Sequence, residues 1–143
     1  MEERARDREL IQAAIEARER AYAPYSDYLV GAALLTDSGE IYQGCNIENA
    51  SYGATNCAER TAFFKAVSQG NREFRAIAIV GGKRKSQHGD IFPDMAYPCG
   101  ICRQVMREFC GPKFRILVGK SAENYEEYTL EEILPESFGP KWT

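Results

Sequence analysis

Two cysteine motifs constrain the fold of this chain more than any other feature. Cys57-Ala58-Glu59 and Pro98-Cys99-Gly100-Ile101-Cys102 each stand where a helical pattern of apolar residues begins. If the three thiols serve one purpose, two helix starts separated by a strand candidate must meet at one point. Helix starts carry free N–H groups and partial positive charge, which favour thiolates. Cys99 and Cys102 lie three apart, so on a first helical turn both sulfurs face one way. A Cys-x-x-Cys pair alone is a weak signal; with a Cys-x-Glu at a second helix start it is strong.

The surrounding pattern predicts the layers that bring those starts together. A helical period covers about Arg6 to Tyr22, and Pro24 ends it within an Ala23–Asp27 turn. Leu29 to Thr36 reads as a strand, thin on one face at Gly31-Ala32-Ala33, and Asp37-Ser38-Gly39-Glu40 turns it into Ile41 to Gly44. Asn46 to Asn56 is polar and loop-like. Thr55 or Asn56 is a suitable cap for a helix from Cys57 to about Gln69, closed by Gly70. Phe74 to Val80 is a buried strand candidate, and Gly81 to Pro93 a loop whose Lys83-Arg84-Lys85 run reads as solvated surface. Cys99 or Gly100 opens a helix to about Cys110, stopped by Gly111-Pro112. Phe114 to Val118 and Glu127 to Thr129 add strands, and Leu130 to Leu134 a helical turn. Alternating strands and helices argue one α/β domain spanning residues 1–143, with a buried sheet under helices.

Composition excludes several classes. A hydrophobic share of 44% and a charged share of 27% suit a globular domain. The net charge of -3 gives no reason to expect nucleic acid or an anionic membrane. No apolar run approaches the ~18 residues of a membrane span. The charged start, Met1 to Arg8, shows no secretory signal, so a cytoplasmic location is expected. Five cysteines is an odd count, which favours metal ligation or burial over disulfides. Cys45 and Cys110 lack ligand-like spacing and read as small buried hydrophobes.

Three thiolates hold zinc and leave its fourth position open, as in catalytic sites. They also leave one net negative charge, so a compensating cation is expected. Arg60 beside Glu59 is the first candidate and Arg103 beside Cys102 the second. Glu59 is positioned to move the proton of an activated water. Because Cys57 and Glu59 are two apart, both reach one site only if Cys57 lies on the non-helical edge of the turn. His88, the only histidine, lies in a polar loop and supports no Ser-His-Asp or Cys-His arrangement. Gly81-Gly82-Lys83 lacks the spacing of a phosphate loop.

Read together, Ala23-Pro24-Tyr25-Ser26, Val30 to Ala33, Gly44 to Tyr52, Cys57 to Arg60, Pro98 to Gln104 and Leu134 to Phe138 resemble the small zinc-dependent cytidine deaminases. The resemblance spans about Tyr22 to Phe138. It implies a three-layer α/β/α sandwich around a mixed, roughly five-stranded sheet. It implies one Zn²⁺ per chain on Cys57, Cys99 and Cys102, with Glu59 as proton shuttle. An activated water attacks C4 of the pyrimidine, Glu59 protonates N3, and ammonia leaves with a proton from Glu59. The Ala58 N–H would hold the 2-oxo group, Asn46 and Glu48 the ribose hydroxyls, and Tyr28 and Tyr52 complete the substrate-binding set. The small members are homotetramers in pyrimidine salvage, and Phe138 matches the aromatic that one subunit lends to another's base pocket. The expected substrates are a pyrimidine nucleoside, cytidine or its 2'-deoxy form, and water. Three departures stand out: Tyr28 where Phe is usual, Tyr97 where Ser is common, and a longer stretch from Gly82 to Ala96. A blasticidin-S-type aminohydrolase on the same scaffold is the nearest rival. A structural zinc module with Cys45 or Cys110 as fourth ligand is a remote one.

Overall fold

The computed structural model describes residues 2–84, 92 and 94–141. The elements run α1 (Glu2–Arg18), β1 (Tyr28–Thr36), β2 (Ile41–Cys45), a 3-10 turn (Tyr52–Ala54), α2 (Ala58–Ser68), β3 (Phe74–Lys83), α3 (Gly100–Phe109), β4 (Arg115–Gly119), β5 (Tyr125–Thr129) and α4 (Leu130–Ile133). The five strands form one sheet in the order β2-β1-β3-β4-β5. β1 is antiparallel to both neighbours, β3 and β4 are parallel, and β5 closes antiparallel on β4. A parallel pair requires a crossover, and α3 supplies it.

Side-chain alternation divides the core into two. Ala33, Leu35, Ala76, Ala78, Val80 and Leu117 face α1 with Leu10, Ile11, Ala14 and Ile15. Ala32, Leu34, Ile77, Ile79, Ile116 and Val118 face the opposite layer with α2 and Met106 of α3. Phe63 of α2 meets Phe74 edge-on at 5.1 Å and stacks on Phe109 of α3 at 6.2 Å. Each buried ring of this kind stabilises by about 1.5–3 kcal/mol. The three-layer α/β/α sandwich expected from the resemblance is the observed fold.

The thinness of β1 has a tertiary cause. A Cβ on Gly31 would lie 2.0 Å from the Ala14 carbonyl oxygen of α1, and one on Gly44 of β2 would lie 2.4 Å from that of Ala58 in α2. Backbone thus meets backbone on both faces of the sheet.

Several element ends differ from the sequence reading. α1 stops at Arg18 because Tyr22 leaves to pair with the segment after β2, its N–H donating to the Asn46 carbonyl. β3 runs on to Lys83 because Tyr28 to Val30 supply partners for its last residues. Neither Thr55 nor Asn56 caps α2. Asn56 is held in a bridge with Ile47, and the cap is Cys57 in extended conformation. The rest of the predicted 81–93 loop lies mostly outside the described residues, as does His88.

Arg18 is fully buried at the end of α1. Its guanidinium donates to the carbonyls of Gly82 (2.7 Å) and Lys83 (3.2 Å) and lies over the Phe92 ring at 4.8 Å. At the other end of α1, Asp7 accepts two hydrogen bonds from Arg115 of β4, at 3.0 and 2.7 Å. Among the described residues no helix is long and apolar enough to cross a membrane.

Candidate metal centre and cleft

α2 and α3 start at the same end of the sheet, and their caps carry the cysteines. Cys57 is the N-cap of α2 (φ -76°, ψ 156°) and Cys99 that of α3 (φ -70°, ψ 168°). Neither thiol caps its own helix, which leaves both sulfurs free for another partner. Cys102 lies in the first turn of α3 and is buried. The three sulfurs all lie within 4.8 Å of one another, and Cys57 and Cys99 are 3.7 Å apart. Tetrahedral zinc with Zn–S bonds of about 2.3 Å sets sulfurs about 3.8 Å apart, so the donor set fits that ion. Among the described residues no other His, Cys, Asp or Glu joins the cluster. The Cys45 thiol donates instead to the Arg20 carbonyl, and Cys110 is buried in the core.

Arg60, in the first turn of α2, donates to the Cys57 sulfur at 3.2 Å. The Cys57 thiol is driven down to about 5, first by its hydrogen bond with Cys102, with Arg60 and Cys99 adding to the effect against desolvation. The opposite side of that bond, with burial, pushes Cys102 up. A divalent cation held by the three sulfurs would displace the thiol protons. Arg103 takes a different role from the charge compensation expected of it. It donates to the carbonyls of Pro98 (2.8 Å) and Ile133 (2.7 Å), bracing the turn before Cys99 rather than a ligand sulfur.

The extended backbone of Cys57 meets the geometric demand set by its spacing from Glu59. Both residues line one cleft of about 430 Å³, with Ala58, Cys99, Asn46 and Tyr28. Glu59 is 4% exposed. Desolvation raises its carboxyl to about 7, the Cys57 charge adding and its own backbone N–H and Arg60 opposing. A carboxyl so placed gains and loses a proton near neutrality.

Asn46 closes the edge of β1. Its Oδ1 accepts from the Val30 N–H and its Nδ2 donates to the Tyr28 carbonyl, both at 2.9 Å. One amide hydrogen and one lone pair remain for a ligand. Glu48 lines an adjoining pocket of about 190 Å³ with Tyr25, Ser26 and Tyr52. Desolvation, which would raise its carboxyl, is outweighed by bonds from the Ser26 hydroxyl and the Tyr25 and Ser26 N–H groups, so it stays below the usual range. Burial and Asp94 raise the Tyr28 hydroxyl. Tyr52 and Phe138 stand 78% and 88% exposed, so Phe138 does not pack on its own core. Phe138 is also absent from the lining of its own chain's cleft. Met95, Ala96 and Thr55 line the cleft as well and carry no signal in the sequence that marks them.

The sequence model of the cytidine and deoxycytidylate deaminase zinc-binding region matches residues 4–118. The chain belongs to this family. It is 49% identical over 129 residues to a cytidine deaminase of Halalkalibacterium halodurans, covering 90% of this chain and 91% of the relative. The crystal structure of a cytidine deaminase from Burkholderia pseudomallei superposes with a TM-score of 0.80 at 45% identity, over 91% of this chain and 97% of that one. That of Mycobacterium tuberculosis gives 0.75 at 38%, over 92% and 96%. Family membership and the three-sulfur cluster together support one zinc ion on this member of the family.

Proposed function

We propose that the chain hydrolyses cytidine, and its 2'-deoxy form, to the corresponding uridine and ammonia. The observation that carries the reading is a three-thiol metal site and a buried carboxyl, Glu59, on the wall of one cleft. Zinc bound to Cys57, Cys99 and Cys102 supplies the Lewis acidity that brings a water's pKa toward neutrality. Glu59 takes a proton from the attacking water and delivers it to N3 of the pyrimidine as the C4–O bond forms. It then takes the remaining proton from the C4 hydroxyl of the tetrahedral adduct and passes it to the amine, so that C4=O forms as the C4–N bond breaks and ammonia leaves. The near-neutral carboxyl of Glu59 suits both transfers.

Ala58, the first residue of α2, has an N–H with no partner inside the helix, and it holds the 2-oxo group of the base. Asn46 and Glu48 take the ribose hydroxyls, the ionised Glu48 as an acceptor. Tyr28 packs in the cleft and Tyr52 on the adjoining pocket. Arg60 offsets the charge of the thiolates, and Arg103 steadies the Cys99 turn. Exposed Phe138 is lent to the cleft of a neighbouring subunit in a homotetramer, and the setting is cytoplasmic pyrimidine salvage.

The test is zinc per chain together with cytidine absorbance, for wild type and Glu59→Gln. Both proteins are expected to hold about one zinc per chain, with deamination in the wild type alone. Zinc without cytidine turnover in the wild type rejects the substrate, and an active Glu59→Gln rejects the mechanism.

A further inference from the structure

Just before α3 the chain forms one wall of the cleft. Met95, Ala96, Tyr97 and Cys99 all line it. Among the described residues no backbone–backbone hydrogen bond holds residues 94–98. Side chains hold this wall instead. The Ala96 methyl sits where only a glycine at 81 leaves room, since a Cβ there would lie 2.8 Å from it. Arg103 grips the Pro98 carbonyl.

Tyr97 provides the third attachment. Its hydroxyl donates to Glu126 Oε1 at 2.8 Å, and the Tyr128 hydroxyl donates to the same oxygen at 2.6 Å. The two rings meet edge-on, their centroids 6.2 Å apart. Glu126 and Tyr128 are alternate residues of β5, so they share a face, and Tyr128 packs against the core on the α2 and α3 side. A residue two positions before the metal-binding Cys99 is thereby tied to the edge of the sheet. The two phenols draw the Glu126 carboxyl below its usual range, so it stays an ionised acceptor.

We infer that Tyr97, Glu126 and Tyr128 form a positioning cluster that fixes the cleft wall before Cys99 and so limits the room for the group on the reacting carbon. The inference rests on the deaminase reading, in which that carbon faces the thiol cluster and carries the departing amine. With the attachment intact the wall cannot yield to a larger amine. With it broken, the wall relaxes, cytidine is held less well for attack, and a bulkier amine is penalised less.

The test compares wild type, Tyr97→Phe, Glu126→Ala and Glu126→Gln on cytidine and N4-methylcytidine, with zinc per chain and urea unfolding recorded for each. Tyr97→Phe and Glu126→Ala are expected to keep zinc and lose about 10-fold in kcat/KM on cytidine, mainly through kcat, since misplacement of even 1 Å costs about 100-fold. Their loss on N4-methylcytidine is smaller, so discrimination between the two substrates narrows. Glu126→Gln retains an acceptor oxygen for both phenols and restores most of the discrimination. Unchanged kinetics in the variants, parallel losses on both substrates, or a Gln variant no better than Ala overturns the inference. A wild type that turns over neither substrate overturns the deaminase reading, and this inference with it.

Discussion

Gly44→Ala tests how the site is built, because it adds one methyl group away from every proposed ligand. The new Cβ would lie 2.4 Å from the Ala58 carbonyl oxygen and 2.5 Å from the Ala62 nitrogen, where ordinary contact begins at 3.4 Å. Both obstacles are helix backbone, which cannot swing aside as a side chain would. The first turn of α2 must therefore retreat from β2 by about 1 Å, or the sheet must bend, at a cost of about 1–3 kcal/mol. That turn carries Ala58, Glu59 and Arg60 and follows directly on Cys57, whereas Cys99 and Cys102 belong to α3. A shift of this size between the two helix starts is expected to lower kcat on cytidine by about 100-fold. Steady-state kinetics, zinc content and urea unfolding measured together separate the packing cost from the catalytic one. Gly111→Ala is the matched control, since its added Cβ meets nothing within 4 Å. A Gly44→Ala protein with wild-type stability, zinc and kcat refutes this account of how the site is assembled.

Three further expectations concern single side chains. Arg60→Gln removes the cation beside the Cys57 sulfur and is expected to weaken zinc retention about 10- to 100-fold, read by competition with a chromophoric chelator; unchanged retention rejects the charge argument. Phe138→Ala removes a ring that is 88% exposed, so the chain's intrinsic folding stability should move by less than about 0.5 kcal/mol. If the ring serves a neighbouring cleft, kcat/KM on cytidine falls all the same, and unaltered kinetics disprove that role. Asp7→Ala leaves Arg115 with the more exposed Glu127 and Glu3 but without its buried partner, and a loss of about 2–3 kcal/mol in urea unfolding is expected. A loss below about 0.5 kcal/mol would show that Glu127 and Glu3 compensate fully.

The cysteine spacing made the site legible because helix starts are local events. Cys57, Cys99 and Cys102 needed only the positions of two caps, and the extended backbone required of Cys57 could be deduced from its distance in sequence to Glu59. The cap of α2 departs from local preference for a physical reason. Thr55 and Asn56 have the better capping side chains, but Asn56 is held by its bridge to Ile47, a pairing that local preference does not report. Gly31 reads in sequence as a thin point of its strand and Gly44 only as a strand end, because the purpose of both, close approach of α1 and α2, lies entirely across the fold. The extension of β3 to Lys83 likewise depended on partners in β1. Tyr97 was visible as an oddity, but its attachment to β5 joins residues 29 positions apart and leaves no periodic trace.

Arg18 bears on how the protein can be altered in length. It grips the carbonyls at the end of β3 and covers the Phe92 ring, while the Phe92 N–H donates to the Lys120 carbonyl and the Arg84 N–H to that of Asp27. Both stems of the 85–91 stretch are thus fastened to the body of the domain independently of what joins them. Changes in length there should not be transmitted to Cys99, and doubling the stretch costs only about 0.6 kcal/mol in closure entropy. The 85–91 stretch is then expected to serve as a graft site, where an inserted peptide tag or reporter leaves cytidine turnover unchanged.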